Sequence, residues 1–366
     1  MNFKSLFILV CLFCTFVAAA QTDRKTSLRY YGKEVFLTEG IAFTDSVREN
    51  PYDRFPLSAK GKVRDAVWYL STNSAGITVR FSANSSSIGV RWKIVNGKNM
   101  DHMAATGIRG IDLYGRTSEG WQYISTGIPK SLENEVILVE HMPAGWREYL
   151  VNLPLYDGVT RVEVGIDSLG QILKPEKRSG KPIVFYGTSI TQGGCASRPG
   201  MAYTNIISRK LGVECLNFGF SGNGKMEKEV VDLLSEIDAA FFVIDCVPNM
   251  KPEEIRERVI PLVETIRRKH PRVPIVFVDG PVYEKSNFDT EQRSGLEEKS
   301  RILEEQYRQL TRKGKQKIFL VSNKFSTKSD HEGTVDGVHF TDLGFMRFSE
   351  HLISEFRRFK LLKELK

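Results

Sequence analysis

The two halves of this chain carry different hydrophobic periods. From about residue 21 to 170, apolar positions gather in short runs at 66–70, 76–83, 87–94, 110–115, 121–127, 147–153 and 159–166. These runs are rich in Val, Ile, Tyr and Trp. Alternation such as Ile77-Thr78-Val79-Arg80-Phe81 sends apolar side chains to one face of a sheet. Turn clusters separate the runs, among them Asn73-Ser74-Ala75-Gly76 and Tyr156-Asp157-Gly158. The pattern predicts an N-terminal β-sandwich or jelly-roll domain over 21–172. Residues 173–182 are charged, with two prolines and a glycine, and read as a linker.

Beyond the linker the period changes. Strands are predicted at 183–187, 213–218, 239–245, 274–279 and 317–322, and helices at 202–211, 226–235, 252–269, 290–312 and from about 342. The run Ala239-Ala240-Phe241-Phe242-Val243-Ile244-Asp245 is apolar almost throughout, as suits a parallel strand covered on both faces. Strands alternating with helices predict a parallel five-stranded sheet between helical layers over 183–366. In such folds ligands bind at the carboxyl ends of the strands.

The first twenty residues read as an address. Lys4 is followed by an apolar run at 6–17 and by Ala18-Ala19-Ala20, so residues 1–20 are expected to be a signal peptide and the protein to be periplasmic or extracellular. Cys11 and Cys14 leave with it. No later stretch has the length and apolarity of a membrane span, so no stable membrane insertion is expected. The formal charge of +8 is scattered through both halves. Without a basic tract interleaved with aromatics, no nucleic-acid partner is expected. Cys195, Cys215 and Cys246 remain, an odd number at irregular spacing, so a disulfide framework is not predicted. No Cys/His group has zinc-ligand spacing along the chain; no metal and no cofactor are expected.

Candidate chemistry sits at the predicted strand ends. Ser189 follows the first strand of the second half, in Tyr186-Gly187-Thr188-Ser189-Ile190. A serine nucleophile needs a base within hydrogen-bond reach and a group to orient that base. Asp336-Gly337-Val338-His339, just before the last helix, offers both. Gly222, in Gly219-Phe220-Ser221-Gly222-Asn223-Gly224 after the second strand, can present an amide to a developing oxyanion. Asn249, after the third strand, can present a side-chain amide. Each of these alone is commonly a turn, cap or loop residue. Their order, each at one strand end of a single sheet, is the stronger signal.

That ordered set resembles the four blocks of the SGNH/GDSL hydrolases: Gly187-Thr188-Ser189-Ile190, Gly222, Asn249, and Asp336 with His339. Gly193-Gly194-Cys195-Ala196-Ser197-Arg198-Pro199-Gly200-Met201 and Gly110-Ile111-Asp112-Leu113-Tyr114 resemble the exported GDSL-like lipase/esterase subgroup with its G-x-D-L-Y N-terminal domain. Thr188 stands in place of the name-giving Asp, Phe340 where Pro is frequent, and the third block reads Pro-Asn-Met. The resemblance implies a flavodoxin-like α/β/α hydrolase domain. It also implies a Ser189-His339-Asp336 triad, and an oxyanion hole of the Ser189 and Gly222 amides with the Asn249 side chain. The expected function is a secreted serine esterase acting on short acyl esters, acetyl foremost, carried by carbohydrate or another small ester. Arg198 is a candidate substrate contact or a surface ion pair. Trp68, Trp92, Trp121 and Trp146 are candidate sugar platforms, although core packing accounts for such residues more often. The alternatives are a secreted lipase or lysophospholipase, a Cys195 thiol hydrolase, and a non-catalytic glycan-binding protein on an esterase fold. The oligomeric state is not legible.

Overall fold

The computed structural model describes residues 27–143, 145–280, 283–312, 314, 316–323 and 330–365. The expected signal peptide lies outside the described residues. The first half forms two antiparallel sheets, with the short helices α1 (Asp65–Ser71) and α2 (Ala105–Ile108) between strands. One has the order β1-β9-β4-β7, from β1 (Leu28–Tyr31), β4 (Ile88–Ile94), β7 (Glu133–Val139) and β9 (Val159–Asp167). The other has the order β10-β3-β8-β5-β6, from β3 (Thr78–Asn84), β5 (Ile111–Thr117), β6 (Gly120–Gly127), β8 (Arg147–Asn152) and β10 (Gln171–Leu173), with β2 (Leu37–Glu39) also paired to β3. Val79, Phe81, Leu113 and Val151 from the second sheet pack against Val90, Trp92, Val164 and Ile166 from the first. The alternation read from the sequence thus fills the core of a sandwich.

One expectation is corrected, and four strands go beyond what the sequence signals. The run 66–70 is a helix, α1 (Asp65–Ser71), not a strand. Five apolar residues cannot distinguish the two periods. Burial of Val67, Leu70 and Ser71, at three- and four-residue spacing, selects the helix, and this face packs on the core of the other domain. β1, β2, β7 and β10 carry no clear sequence signal. β7 is an edge strand whose Glu133 and Glu135 face solvent and pair with Lys93 and Arg91 of β4.

The second half is a five-stranded parallel sheet in the order β12-β11-β13-β14-β15: β11 (Ile183–Gly187), β12 (Cys215–Gly219), β13 (Phe241–Asp245), β14 (Ile275–Val278) and β15 (Ile318–Val321). The first strand lies between the second and third, the flavodoxin-like order. One face is covered by α5 (Lys228–Leu234), α6 (Pro252–Lys269) and α7 (Thr290–Arg312), through residues such as Val230, Val259 and Ile302. The other is covered by α4 (Tyr203–Leu211) and α8 (Asp342–Arg358), through Ile206, Ile207, Phe348 and Leu352. Among the described residues no helix is long and apolar enough to cross a membrane.

The sandwich seals the open edge of this sheet. Ile183 donates to the Glu214 carbonyl, so alternate β12 carbonyls point to β11 and those of Asn217 and Gly219 point away. An exposed row of such groups invites foreign strands. Arg54, 1% exposed, fills the gap: Nη1 donates to the Asn217 and Gly219 carbonyls at 2.9 and 2.8 Å. Its remaining nitrogens donate to Asn73 and Leu70 carbonyls of its own domain at 2.9 and 2.5 Å. Burial pushes the guanidinium down to about 9, so it still carries its charge at neutral pH. Replacing it with a non-donor strands buried carbonyls, each worth roughly 1–3 kcal/mol. Arg54→Met is expected to lower stability by about 3–5 kcal/mol, read from urea midpoints. A loss within about 1 kcal/mol would mean that Arg54 does not hold the domains together.

Candidate active site

The register of the sheet sets the site. Gly187 of β11 lies level with Gly219 of β12 and Asp245 of β13. The segments leaving these three ends therefore emerge side by side. From β11 the chain passes through Thr188 into the single turn α3 (Ser189–Gln192), which starts at Ser189. The amide of that first residue has no partner within the turn. From β12 it turns over Ser221 and Gly222, with the Asn223 amide bonded to the Phe220 carbonyl and Gly222 exposed at φ +69°. From β13 it enters the short turn Val247–Asn249.

The fourth segment arrives from before α8. The Val335 amide bonds to the His339 carbonyl at 2.8 Å, closing a tight loop around Gly337, whose φ of +84° few side-chain-bearing residues tolerate. Within it Asp336 Oδ1 accepts from the Val338 and His339 amides at 3.0 and 2.7 Å. Asp336 Oδ2 lies 2.8 Å from His339 Nδ1, and His339 Nε2 lies 2.9 Å from Ser189 Oγ. Burial raises the Asp336 carboxyl, but the hydrogen bonds from the His339 ring and the two amides outweigh it and hold the group below its usual range. It therefore stays ionised opposite the imidazole. Phe340 is 1% exposed and packs edge-on against Phe345 and at a tilt against Phe348, so it anchors the loop to the core.

Asn249 is oriented by its neighbour. Its Oδ1 accepts from the Gly224 amide at 3.3 Å, which leaves the Nδ2 hydrogens for another acceptor. Gln192, which sequence reasoning did not single out, joins three parts. Its Oε1 accepts from the Ser221 amide at 3.0 Å, and its Nε2 donates to Asn73 Oδ1 and the Leu155 carbonyl. Tyr156 donates to the Ser189 carbonyl at 3.3 Å, and Arg64 donates to Asn223 Oδ1 at 2.7 Å and pairs with Glu227. Four residues of the first domain (Arg64, Asn73, Leu155 and Tyr156) thus brace the second domain's loops. Asn73, Leu155 and Tyr156 lie in or beside the turn clusters at 73–76 and 156–158, their only signal in the sequence; Arg64 has none.

Arg198 is committed elsewhere. Its Nη1 donates to Asp112 Oδ2 at 2.8 Å and to the Tyr114 hydroxyl at 2.5 Å, and its guanidinium lies 4.0 Å from the Tyr123 ring centre. Asp112, fully buried, also accepts from the Gly200 amide and the Asn152 side chain. The Asp and Tyr of the G-x-D-L-Y element therefore lock the domains through Arg198, and none of these bonds reaches Ser189, Asp336 or His339. Of the four tryptophans, Trp92 is core at 1% exposure, while Trp146 is exposed. The three cysteines are buried and unpaired. Burial, reinforced by Asp336, pushes the Cys195 thiol up to about 12, so it is a poor nucleophile at neutral pH.

Comparisons with known proteins agree with this architecture. The GDSL-like lipase/acylhydrolase family matches residues 180–357, and the GxDLY domain, the N-terminus of SGNH-hydrolase-type esterases, matches residues 29–172. The crystal structure of a protein from Bacteroides ovatus assigned as a GDSL-like lipase superposes with a TM-score of 0.87 at 36% identity, covering 93% of this chain and 99% of that one. The chain belongs to the GDSL-like lipase/acylhydrolase family. It is accordingly an ester hydrolase of the SGNH/GDSL type, with a β-rich first domain and an SGNH hydrolase domain. Two more distant structures share the fold. The salicylyl-acyltransferase SsfX3 from a tetracycline biosynthetic pathway has a TM-score of 0.75 at 16% identity, covering 91% of this chain and 98% of that one. A family two carbohydrate esterase from Clostridium thermocellum, in complex with cellohexaose, has a TM-score of 0.57 at 16% identity, covering 78% and 92%. No curated protein matches the chain.

Beneath the Ser189 turn lies Asp245, 3% exposed, accepting from Thr191 Oγ1 at 3.1 Å and from the Tyr203 hydroxyl at 3.3 Å. Burial pushes this carboxyl up to about 7. Between the unfolded carboxylate range near 4 and this value, the folded state holds more protons than the unfolded one, so stability falls as pH rises. Asp245→Asn removes that loss. The stability of Asp245→Asn relative to wild type should increase from pH 4 to pH 7 in thermal melts, and a pH-independent difference would contradict the assignment.

Proposed function

We propose that this protein is an exported serine esterase that removes short acyl groups, acetyl foremost, from carbohydrate. The observation that carries this reading is the unbroken relay from Asp336 Oδ2 through His339 to Ser189 Oγ, at 2.8 and 2.9 Å. His339 Nε2 takes the Ser189 proton as Oγ attacks the ester carbonyl. Asp336 keeps the ring proton on Nδ1 and stabilises the imidazolium that forms. The Ser189 and Gly222 amides and Asn249 Nδ2 receive the oxyanion, His339 protonates the leaving alcohol, and water repeats the cycle on the acyl-enzyme. Ser221, Asn223 and Asn249 make this rim polar, which suits a small acyl group on a hydroxylated alcohol better than a long alkyl chain. The fold shared with the Clostridium thermocellum carbohydrate esterase points to the same substrate class. Export rests on the expected signal peptide at residues 1–20.

The test is a p-nitrophenyl ester series from acetate to palmitate, followed by acetylated glycans. Wild-type turnover should be highest on acetate and fall with chain length, and Ser189→Ala should lack it. Equal hydrolysis by wild type and Ser189→Ala would overturn the nucleophile, and a preference for palmitate would favour a lipase. One oxyanion donor contributes about 3 kcal/mol to the barrier, so Asn249→Ala should lower kcat roughly 100-fold or more with KM little changed. An unchanged kcat would remove Asn249 from the oxyanion hole.

A further inference from the structure

The fold brings four metal-ligating side chains together from three separate stretches of chain. One ligand atom each from His102, Cys195, Asp336 and His339 lies within 4.8 Å of the other three. Along the sequence these residues show no ligand spacing, which is why no metal was expected. His102 comes from the β domain. It follows Met100, which bridges to Met103, and the buried Met103 side chain packs in the same core as Cys195 and Ala196. This anchoring holds the exposed His102 ring over His339, with ring centres 5.5 Å apart. Cys195 sits at φ +74°, a left-handed conformation that L residues rarely adopt. Neither His102 nor Cys195 has a hydrogen-bonded role in the relay.

We propose that His102, Cys195, Asp336 and His339 form a binding site for a zinc-class divalent cation that switches the esterase off. Two imidazoles, a thiolate and a carboxylate are the donor set that zinc takes in tetrahedral sites. With bonds of about 2.0–2.3 Å, such a site needs its ligand atoms about 3.3–3.7 Å apart, so the widest pairs close by about 1 Å and the Asp336–His339 contact opens slightly as the ion binds. The hard cations magnesium and calcium prefer oxygen-rich shells and do not suit it. Binding releases the Cys195 proton to solvent, because a coordinated thiol is a thiolate. Asp336 faces His339 Nδ1, so a cation shared by the two binds that nitrogen. The ring's single proton then moves from Nδ1 to Nε2, where it blocks acceptance of the Ser189 proton. Because His102 belongs to the other domain, the bound ion also staples the two domains across the site.

The inhibition readout rests on the proposed esterase activity; a second readout does not. Chelator-treated protein is titrated with zinc chloride while ester hydrolysis is followed. One ion per chain should abolish turnover, EDTA should restore it, and magnesium and calcium should have no effect. His102→Ala and Cys195→Ser should match wild-type turnover without metal, yet need more than about 10-fold more zinc for inhibition, since even residues outside a ligand shell change metal affinity roughly 10–100-fold. Independently of turnover, cobalt(II) should give a near-ultraviolet thiolate-to-cobalt absorption in wild type and His339→Ala that Cys195→Ser lacks. Equal zinc sensitivity of both variants and wild type, or a cobalt spectrum without the thiolate band, would overturn the site. A protein without esterase activity that still shows the cobalt band would retain the site and overturn only the proposed function.

Discussion

The Arg54 guanidinium is the interaction on which the rest of the structure depends. A parallel sheet of this order leaves β12 at an edge, with carbonyls pointing at nothing. Arg54 answers two of them and two carbonyls of its own domain at once. Burying a cation this deeply is costly without a full set of acceptors. Four carbonyls from two domains supply that set, so the guanidinium is stable only where both domains are docked. The contact therefore specifies the arrangement of the domains as well as contributing to stability.

Docking in turn shapes the site. β12 ends at Gly219, and the loop that follows carries Gly222. With the edge held by Arg54, the loop is braced by Arg64 on Asn223 and by Gln192 on the Ser221 amide. Gln192 is itself held by Asn73 and Leu155 of the sandwich. The Ser189 turn is supported from below by Asp245 through Thr191 and from the side by Tyr156. Oxyanion donors are effective when they need no reorganisation at the moment of reaction. The first domain thus braces the loops that carry the proposed oxyanion donors, so it is part of the hydrolase scaffold rather than an appended module.

The same interface brings in His102, and with it a liability. A base that must be neutral and accessible is also a metal ligand, and a thiol and a second imidazole beside it complete a donor set. Without metal, Cys195 is protonated and inert, and the relay is undisturbed. The two states of the site differ in the proton on Cys195 and in whether His339 binds Asp336 or the ion.

Much of this was determined by the sequence itself. Period-two alternation around Ile77–Phe81 and the apolar run through Phe241–Ile244 report how many faces of a strand are buried, a local property that survives without coordinates. The ordered Ser189, Gly222, Asn249 and Asp336/His339 blocks carry the resemblance to the family because each is a short, contiguous pattern. α1 was misread because five apolar residues fit both periods, and only packing against the second domain chose the helix. The sequence offered Arg198 as a substrate contact or an ion pair; the tertiary structure spends its charge on Asp112. Gln192, Arg54, Tyr156 and the His102–Cys195 cluster were not legible at all. Their partners in the other domain lie from 33 to 237 residues away along the chain, and a pattern read locally carries no information about which distant groups a fold will bring within a few ångströms.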